Sequence, residues 1–207
     1  MPKDRLSAAD LVVQARELAR RDKDLASILE RLGPPPLWAR RPGFSTLVQI
    51  ILEQQVSLAS AASIFARLKS SVVPFHPLRM LELGEHHLKA QGLTRQKTAY
   101  CLHLAQSLQD KHLRLSQLSR MSDEQAKAAL MEVKGIGSWS ADIYLLMALR
   151  LADIWPASDL ALAIAVTKLK RFPVRPDSNQ LEEMAEAWRP FRSVAARMLW
   201  QYYLAKM

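Results

Sequence analysis

Asp159 is the side chain best placed for chemistry, because it closely follows a glycine hairpin. The hairpin is the segment Val133 to Ala141, with the letters VKGIGSWSA, and Asp159 lies 18 residues after its end. Two glycines flanking one apolar residue let main-chain amides approach a phosphate, and a following helix N-terminus adds further amides. A carboxylate can stabilise the positive charge that develops on a sugar while a glycosidic bond breaks. The pattern therefore predicts a protein that holds a nucleic-acid backbone and cleaves a glycosidic bond.

The hairpin residues are the predicted contacts to the DNA backbone. Ile136 is expected to anchor the turn in the core, and Lys134 is expected to lie beside a bound phosphate. A plain connector between two helices is the alternative, since Gly-x-Gly alone is a weak signal. The predicted backbone contacts are Lys134, Gly135, Ile136, Gly137 and Ser138.

Asp159 also has a structural interpretation. Ser158-Asp159 precedes an apolar helical run, where an aspartate side chain commonly caps the helix. Both roles are compatible, because a cap fixes the position of the carboxylate. Asp142 and Asp153 are competing carboxylates, and Asp142 is expected to have a structural role on the second helix of the hairpin.

Composition limits the class of protein. The 207 residues carry 29 Lys and Arg against 20 Asp and Glu, a net charge of +9 that favours polyanionic partners. Cys101 is the only cysteine, which excludes an intramolecular disulfide, a cysteine-ligated zinc site and an iron–sulfur cluster. Residues 1–5 lead into an amphipathic stretch rather than an apolar signal sequence, and no apolar run is long enough to span a membrane. A cytoplasmic, nucleoid-associated protein is expected.

Helix-forming residues dominate, and the apolar spacing predicts an all-α fold of roughly ten helices. Ser122 with Gln125 forms a capping-box pattern at the start of the first hairpin helix. The second hairpin helix is expected to run from Ser138 to about Ala152. The passage 74–84 is expected to be rich in loops, and Pro190 is expected in the first turn of the last helix.

Three segments and one carboxylate carry a resemblance to a known family. VKGIGSWSA (133–141), WRPFRSVAARMLW (188–200), LVQIILEQQVSLASAA (47–62) and Asp159 resemble the helix-hairpin-helix (HhH-GPD) DNA glycosylases, specifically the AlkA-like 3-methyladenine DNA glycosylase II branch. The likeness covers roughly residues 40–205. It implies one domain over residues 1–207, with two lobes, the hairpin motif at about 122–152 and a central cleft. Larger members carry an N-terminal β-rich domain, so the chain resembles a minimal form.

The resemblance implies a monofunctional glycosylase that flips and hydrolytically excises alkylated purines of the 3-methyladenine and 7-methylguanine type. Members that also cleave the backbone have a nucleophilic lysine where this chain has Trp139, and an indole cannot form a Schiff base. Asp159 is then the catalytic carboxylate. Two alternatives stay open: a glycosylase for hypoxanthine, ethenoadenine or uracil, and a non-catalytic helix-hairpin-helix DNA-binding protein.

The remaining predicted site residues come partly from the resemblance and partly from residue type and position. Trp139 and Trp200 match aromatic positions of the base pocket, and Phe44, Tyr144 and Trp38 are candidate pocket walls. Gln54-Gln55 matches the turn whose residue, Gln55 here, fills the gap left by the flipped base, with an exposed polar turn as the alternative. Arg95 and Lys97 form a second basic cluster, which either contacts the DNA backbone or is simply a solvated helix face.

A Na⁺ or K⁺ ion at the hairpin would use the main-chain carbonyls of Met131, Val133 and Ile136. No other cofactor is expected, and the predicted partner of a monomer is damaged double-stranded DNA.

Overall fold

The computed structural model describes residues 5–205, and eleven α-helices make up most of this part of the chain. No β-strand occurs within it, so the all-α prediction is confirmed. The helices are α1 (Ala8–Arg21), α2 (Lys23–Leu32), α3 (Phe44–Glu53), α4 (Leu58–Ser71), α5 (Pro77–Ala90), α6 (Arg95–Gln109), α7 (Asp123–Met131), α8 (Ser138–Ile143), α9 (Leu160–Lys170), α10 (Ser178–Ala185) and α11 (Arg192–Leu204).

Side-chain caps fix where several helices begin. Ser122 accepts the main-chain N–H of Gln125 at 3.1 Å, and the Gln125 side chain accepts the N–H of Ser122 at 3.0 Å. This is the capping box predicted for α7. Ser57 and Thr94 cap α4 and α6, and each side chain accepts the main-chain N–H three residues further on. The sequence therefore determines these helix starts through local hydrogen bonds.

The described residues form two compact units. Unit 1 is residues 40–144 and holds α3 to α8. Its centre is α3, which is buried along most of its length and contacts α4, α6 and α8. Helix α7 contacts α8 across the glycine hairpin, so unit 1 contains the whole predicted phosphate-binding motif.

Unit 2 combines residues 5–39 with residues 145–205 and holds α1, α2, α9, α10 and α11. Helix α11 is its central element, because every residue from Arg192 to Trp200 is buried. It contacts α1, α2 and α9. Asp159 and Trp200 therefore both belong to unit 2.

The predicted loop-rich passage at 74–84 is mostly wrong, because residues 77–84 are helical. His76 caps α5, and Pro77 occupies its first position, where a missing N–H breaks no helical hydrogen bond. Gly84 interrupts this helix with a φ of 69° rather than ending it. A glycine kink therefore replaces the expected loop, because glycine adopts this positive φ without steric cost.

Two further helix boundaries differ from expectation. Helix α8 ends at Ile143 and continues as a π-helical segment, Tyr144–Leu149, instead of running to Ala152. Within unit 2, the Leu146 carbonyl of this wider segment accepts a hydrogen bond from the buried Arg197 at 2.8 Å. Pro190 precedes α11 rather than lying in its first turn, because the Phe191 N–H is bonded to the Trp188 carbonyl at 2.8 Å.

No helix in residues 5–205 is long and apolar enough to cross a membrane. The prediction about the first five residues falls mainly on positions 1–4, which lie outside the described residues.

Candidate functional site

The glycine hairpin of unit 1 is a tight turn with a buried base and an exposed rim. The Ile136 N–H donates to the Val133 carbonyl at 2.9 Å, and both side chains are buried. This confirms that Ile136 anchors the turn. Lys134, Gly137 and Ser138 are exposed. Gly137 precedes α8 and supplies no side-chain cap, unlike Ser122 before α7.

Gly135 is required by its surroundings as well as by its backbone. Its φ is 96°, and an added Cβ would lie 2.2 Å from Cγ of Tyr100 on α6. A neighbouring ion pair joins the hairpin's helices, since Lys127 of α7 lies 2.8 Å from the buried Asp142 of α8. Asp142 therefore has the structural role expected for it.

Gln54 connects the turn between α3 and α4 to the hairpin. Its side-chain amide donates to the Gly135 carbonyl at 2.8 Å and to the Ser140 hydroxyl at 2.9 Å. The Lys97 ammonium donates to the main-chain carbonyls of Leu52 and Gln54 at 2.7 and 2.9 Å. Burial lowers the pKa of Lys97. These hydrogen bonds hold the predicted wedge turn and the hairpin as one rigid group.

Lys97 thus differs from the exposed basic cluster expected with Arg95, because its ammonium faces carbonyls inside unit 1. Arg95 is exposed at the start of the same helix. Gln55 is also exposed and adopts a φ of 56°, so the turn directs this residue away from the core that Gln54 faces. DNA contacts by Gln54, Gln55, Arg95 and Lys97 stay predictions.

The predicted aromatic residues of unit 1 have different surroundings. Trp139 is partly exposed at the start of α8. Phe44 is buried against Phe75, with ring centroids 5.6 Å apart. Tyr144 is fully buried, and its hydroxyl accepts the Gly43 N–H at 3.0 Å. Contacts of these three residues with a base stay predictions, and Trp139 is the most accessible of them.

Asp159 of unit 2 caps α9 and is buried. Its Oδ1 accepts the Leu162 N–H at 2.9 Å and the Trp200 indole N–H at 3.1 Å. The expected cap is therefore present, and a second donor from α11 adds to it. Two donors on one oxygen fix the orientation of the carboxylate, which is what a group acting on a developing charge requires.

Trp200 belongs to an aromatic cluster beside Asp159. The ring of Trp38 meets it edge-to-face, with centroids 6.5 Å apart. Trp38 has an unusual φ of 43°. The carbonyl of the preceding residue, Leu37, accepts a hydrogen bond from Arg197 at 3.0 Å. Unit 2 therefore brings together three of the predicted site residues, Asp159, Trp200 and Trp38.

Arg197 is a residue that sequence reasoning missed. It is fully buried and donates to the carbonyls of Leu37, Ser193 and Leu146. Burial lowers the pKa of its guanidinium to about 10. The available signal is a single arginine within the apolar run VAARMLW, three residues before Trp200. An arginine at such a position is buried only when carbonyls satisfy its donors.

The hairpin's main-chain oxygens are of the kind that a monovalent cation prefers. The Val133 carbonyl already accepts the Ile136 N–H, so a cation would share this oxygen with the turn. Within residues 5–205, no group of three or more His, Cys, Asp or Glu side chains could hold a metal ion. Cation binding through Met131, Val133 and Ile136 stays a prediction.

Unit 1 thus contains a helix–hairpin–helix, and unit 2 contains a capped carboxylate that also accepts an indole N–H. Residues 48–190 match the family model described as HhH-GPD superfamily base excision DNA repair protein. The chain belongs to the HhH-GPD superfamily.

Individual relatives agree with this assignment at low identity. YfjP of Bacillus subtilis is 24% identical over 185 residues, which are 86% of this chain and 64% of YfjP. The alkylbase DNA glycosidase-like protein mag2 of Schizosaccharomyces pombe is 24% identical, with 90% of this chain and 91% of mag2 covered. The chain therefore spans nearly all of one relative and less than two thirds of the other.

A solved structure shows the same fold. The 3-methyladenine DNA glycosylase Mag1 of Schizosaccharomyces pombe, in complex with abasic DNA, superposes with a TM-score of 0.79 at 22% identity. The alignment covers 94% of this chain and 97% of Mag1. The helical arrangement predicted from the sequence is therefore that of a known glycosylase fold.

Proposed function

We propose that this protein is a monofunctional DNA glycosylase that excises alkylated purines, of the 3-methyladenine and 7-methylguanine type, in base excision repair. The observation that carries the proposal is the buried Asp159 carboxylate, whose Oδ1 accepts both the Leu162 N–H and the Trp200 indole N–H. The match to the HhH-GPD family and the names of the relatives support the same activity.

Asp159 acts on the sugar of the flipped nucleotide. Breaking the N-glycosidic bond gives the sugar oxocarbenium character, which the carboxylate stabilises while it orients or deprotonates water. A purine alkylated on a ring nitrogen carries positive charge and leaves readily. The reaction then needs no strong general acid, in keeping with a single carboxylate.

The base is recognised through aromatic faces. Indole rings bind a cationic base by stacking and by a cation–π interaction. A neutral base stacks as well but lacks the cation–π interaction. Trp200 supplies such a ring beside Asp159, and the partly exposed Trp139 supplies another on α8. Because Trp139 stands where lyase-active relatives have lysine, the enzyme forms no covalent link to the sugar.

The DNA backbone is held by the hairpin. Lys134, Gly137 and Ser138 present a charge, main-chain amides and a hydroxyl on its exposed rim. Gln55, on the turn that Gln54 ties to this hairpin, enters the duplex and fills the gap left by the flipped base. Arg95 adds a backbone contact.

The remaining parts of the proposal follow from a duplex DNA substrate. The enzyme acts as a monomer on damaged double-stranded DNA in the cytoplasm, in association with the nucleoid. Its two units together make one catalytic domain. A Na⁺ or K⁺ ion at the hairpin would add positive charge beside a DNA phosphate.

A base-release assay tests the activity. Purified protein is incubated with methylated duplex DNA, and released 3-methyladenine and 7-methylguanine are measured separately by chromatography. Duplexes containing hypoxanthine, ethenoadenine or uracil are the comparison substrates. We expect release of alkylated purines above release from the comparison substrates. Release of only a comparison base would replace the substrate assignment, and binding without any release would favour the non-catalytic alternative.

Borohydride trapping tests the monofunctional assignment separately. A reaction on alkylated DNA is quenched with borohydride and resolved on a denaturing gel, with a lyase-active glycosylase as the positive control. We expect base release without a covalent protein–DNA adduct. A stable adduct in the reaction of this protein would refute the assignment.

A further inference from the structure

Unit 2 contains a concave surface, here called the basic pocket, with a volume of about 530 Å³. One wall is a face of α2 and the other is the C-terminal end of α9. The basic and polar side chains that define it are Lys23, Ser27 and Arg31 of α2, Lys168 and Lys170 of α9, and the following Arg171. On α2 these residues recur every four positions, which places them on one face of the helix.

The basic pocket concentrates positive charge. Five Lys or Arg side chains line it against a single carboxylate, Asp24, which leaves an excess of four positive charges. The whole chain has a net charge of +9. Asp24 is paired with Lys170 at 2.9 Å, and Lys170 also lies 3.6 Å from Asp22. Even when Asp22 is counted with Asp24, the pocket keeps an excess of three positive charges.

Helix stability does not explain this arrangement completely. Lys168 and Lys170 lie in the last turn of α9, where the helix dipole favours cations. Lys23, however, is the first residue of α2, where the dipole disfavours a cation, and its side chain is exposed. The helix dipole therefore does not account for a lysine at this position, which adds to the positive charge of the pocket.

The pocket lies at the opposite end of α9 from Asp159. Helix α9 runs from its cap, Asp159, to Lys170, and a rise of 1.5 Å per residue makes this distance about 16 Å. A duplex advances about 3.4 Å for each base pair, so 16 Å corresponds to about five base pairs. A duplex that runs along α9 would bring phosphates about five base pairs from the lesion to the pocket.

We propose that the basic pocket binds phosphodiester groups of the duplex that flank the lesion. The ligand chemistry is that of phosphate oxygens, which charged donors and a hydroxyl hold without reading sequence. The inference rests on the proposed function in one respect, the identity of duplex DNA as the substrate. It adds a contact surface on unit 2 to the hairpin of unit 1.

Charge neutralisation tests the proposal. The pocket variant combines Lys23→Gln, Lys168→Gln and Arg171→Gln, three exposed residues outside the catalytic group. The control variant combines Arg5→Gln, Arg16→Gln and Lys69→Gln, which are also exposed and remove the same net charge outside the pocket. Affinity for an undamaged duplex of about 30 base pairs is measured by fluorescence anisotropy over a series of salt concentrations.

We expect the slope of log K against log salt to become shallower by about 2 to 3 in the pocket variant, because each lost phosphate contact changes it by roughly 0.9. The control variant should lose less than half as much. Single-turnover excision at saturating enzyme should stay within about twofold of wild type, since Asp159 is untouched. An unchanged slope, or equal losses in both variants, would overturn the proposal.

Two further measurements distinguish duplex binding from a small-anion site and from catalysis. Stabilisation of the wild type by inorganic phosphate, together with an unchanged duplex slope in the pocket variant, would indicate a small-anion site and overturn the proposal. Binding to undamaged DNA requires no chemistry. A wild type that binds but releases no base would therefore contradict the proposed function and leave the pocket test intact.

Discussion

The carboxylate of Asp159 combines a structural role and the proposed catalytic role in one oxygen atom. The Leu162 N–H and the Trp200 indole both donate to Oδ1, so the same bonds that start α9 also orient the side chain. A cap is often taken as evidence against catalysis, because it explains an aspartate before a helix. Here the indole donor is not needed for capping, and it is the observation that favours a functional role.

Trp200→Phe separates the indole donor from the aromatic ring. We expect the excision rate constant to fall about tenfold, because the variant keeps a ring but loses a hydrogen bond to the carboxylate. Trp38→Phe is the matched control, since Trp38 meets Trp200 by ring contact. Single-turnover excision of a saturated alkylated duplex measures both variants. Equal rates for Trp200→Phe and wild type would show that the indole does not position Asp159.

Helix α6 supports both the turn between α3 and α4 and the glycine hairpin of unit 1. Its Lys97 holds the carbonyl end of α3, and its Tyr100 lies directly under Gly135. Gln54 joins the two turns directly. The hairpin therefore depends on a neighbouring helix for its shape and not only on its own glycines.

Gly135→Ala should destabilise the protein by about 2 to 3 kcal/mol, because it combines a positive φ with overlap against Tyr100. Urea unfolding of a double-mutant cycle with Tyr100→Ala measures how much arises from overlap. We expect a smaller cost in the Tyr100→Ala background, since the overlapping ring is absent there. Equal costs in both backgrounds would mean that Tyr100 does not restrict this position.

Gln54→Met keeps the length of the side chain and removes its two donors. We expect the free energy of unfolding to fall by about 1 to 2 kcal/mol, because the Gly135 carbonyl loses its partner. KM for alkylated duplex should rise more than kcat falls, since the turn and the hairpin then move independently. Gln117→Met, at an exposed position, is the control. A lower free energy of unfolding with unchanged KM would mean that Gln54 has a role in stability alone.

The sequence predicts the elements whose determinants are local. The capping box of Ser122 and Gln125 is predicted correctly, because it involves residues only three positions apart. The sequence wrongly favours a loop in place of the kinked α5. Proline and glycine usually disfavour a helix interior, but Pro77 lies at the first position of α5 and Gly84 lies at its kink.

The parts that the sequence does not predict depend on residues far apart in the chain. Gln54 meets Gly135 across 81 positions, and Arg197 meets Leu37 across 160. Local spacing in the sequence gives no sign of contacts between residues so far apart. The family resemblance supplies Trp200 as a pocket residue, and the structure adds that its indole holds Asp159.

At the scale of the molecule, the order of the chain links the two units. Unit 1, residues 40–144, is inserted between the two segments that form unit 2. Helix α11 contacts α1 and α2, so unit 2 requires chain segments from both sides of the insertion. The prediction of one domain therefore has a measurable consequence.

The two units should unfold together. Trp139 is the one tryptophan within residues 40–144, so the fluorescence of Trp139→Phe reports unit 2 alone. Far-UV circular dichroism reports helices of both units. We expect the same urea midpoint from both signals, as in a two-state transition. Two separate midpoints would show that the units are independent domains.

The central claim is that Asp159 performs the chemistry, and Asp159→Asn tests it most directly. Asparagine keeps an oxygen for the cap and removes the charge that stabilises the sugar cation. Asp177→Asn is the matched control, because Asp177 is also an N-terminal cap in unit 2. Single-turnover release of 3-methyladenine is measured together with affinity for an alkylated duplex. We predict that the rate of release falls about 100-fold or more for Asp159→Asn while affinity is retained, and that Asp177→Asn loses neither. Release at the wild-type rate by Asp159→Asn would contradict a catalytic role for this carboxylate.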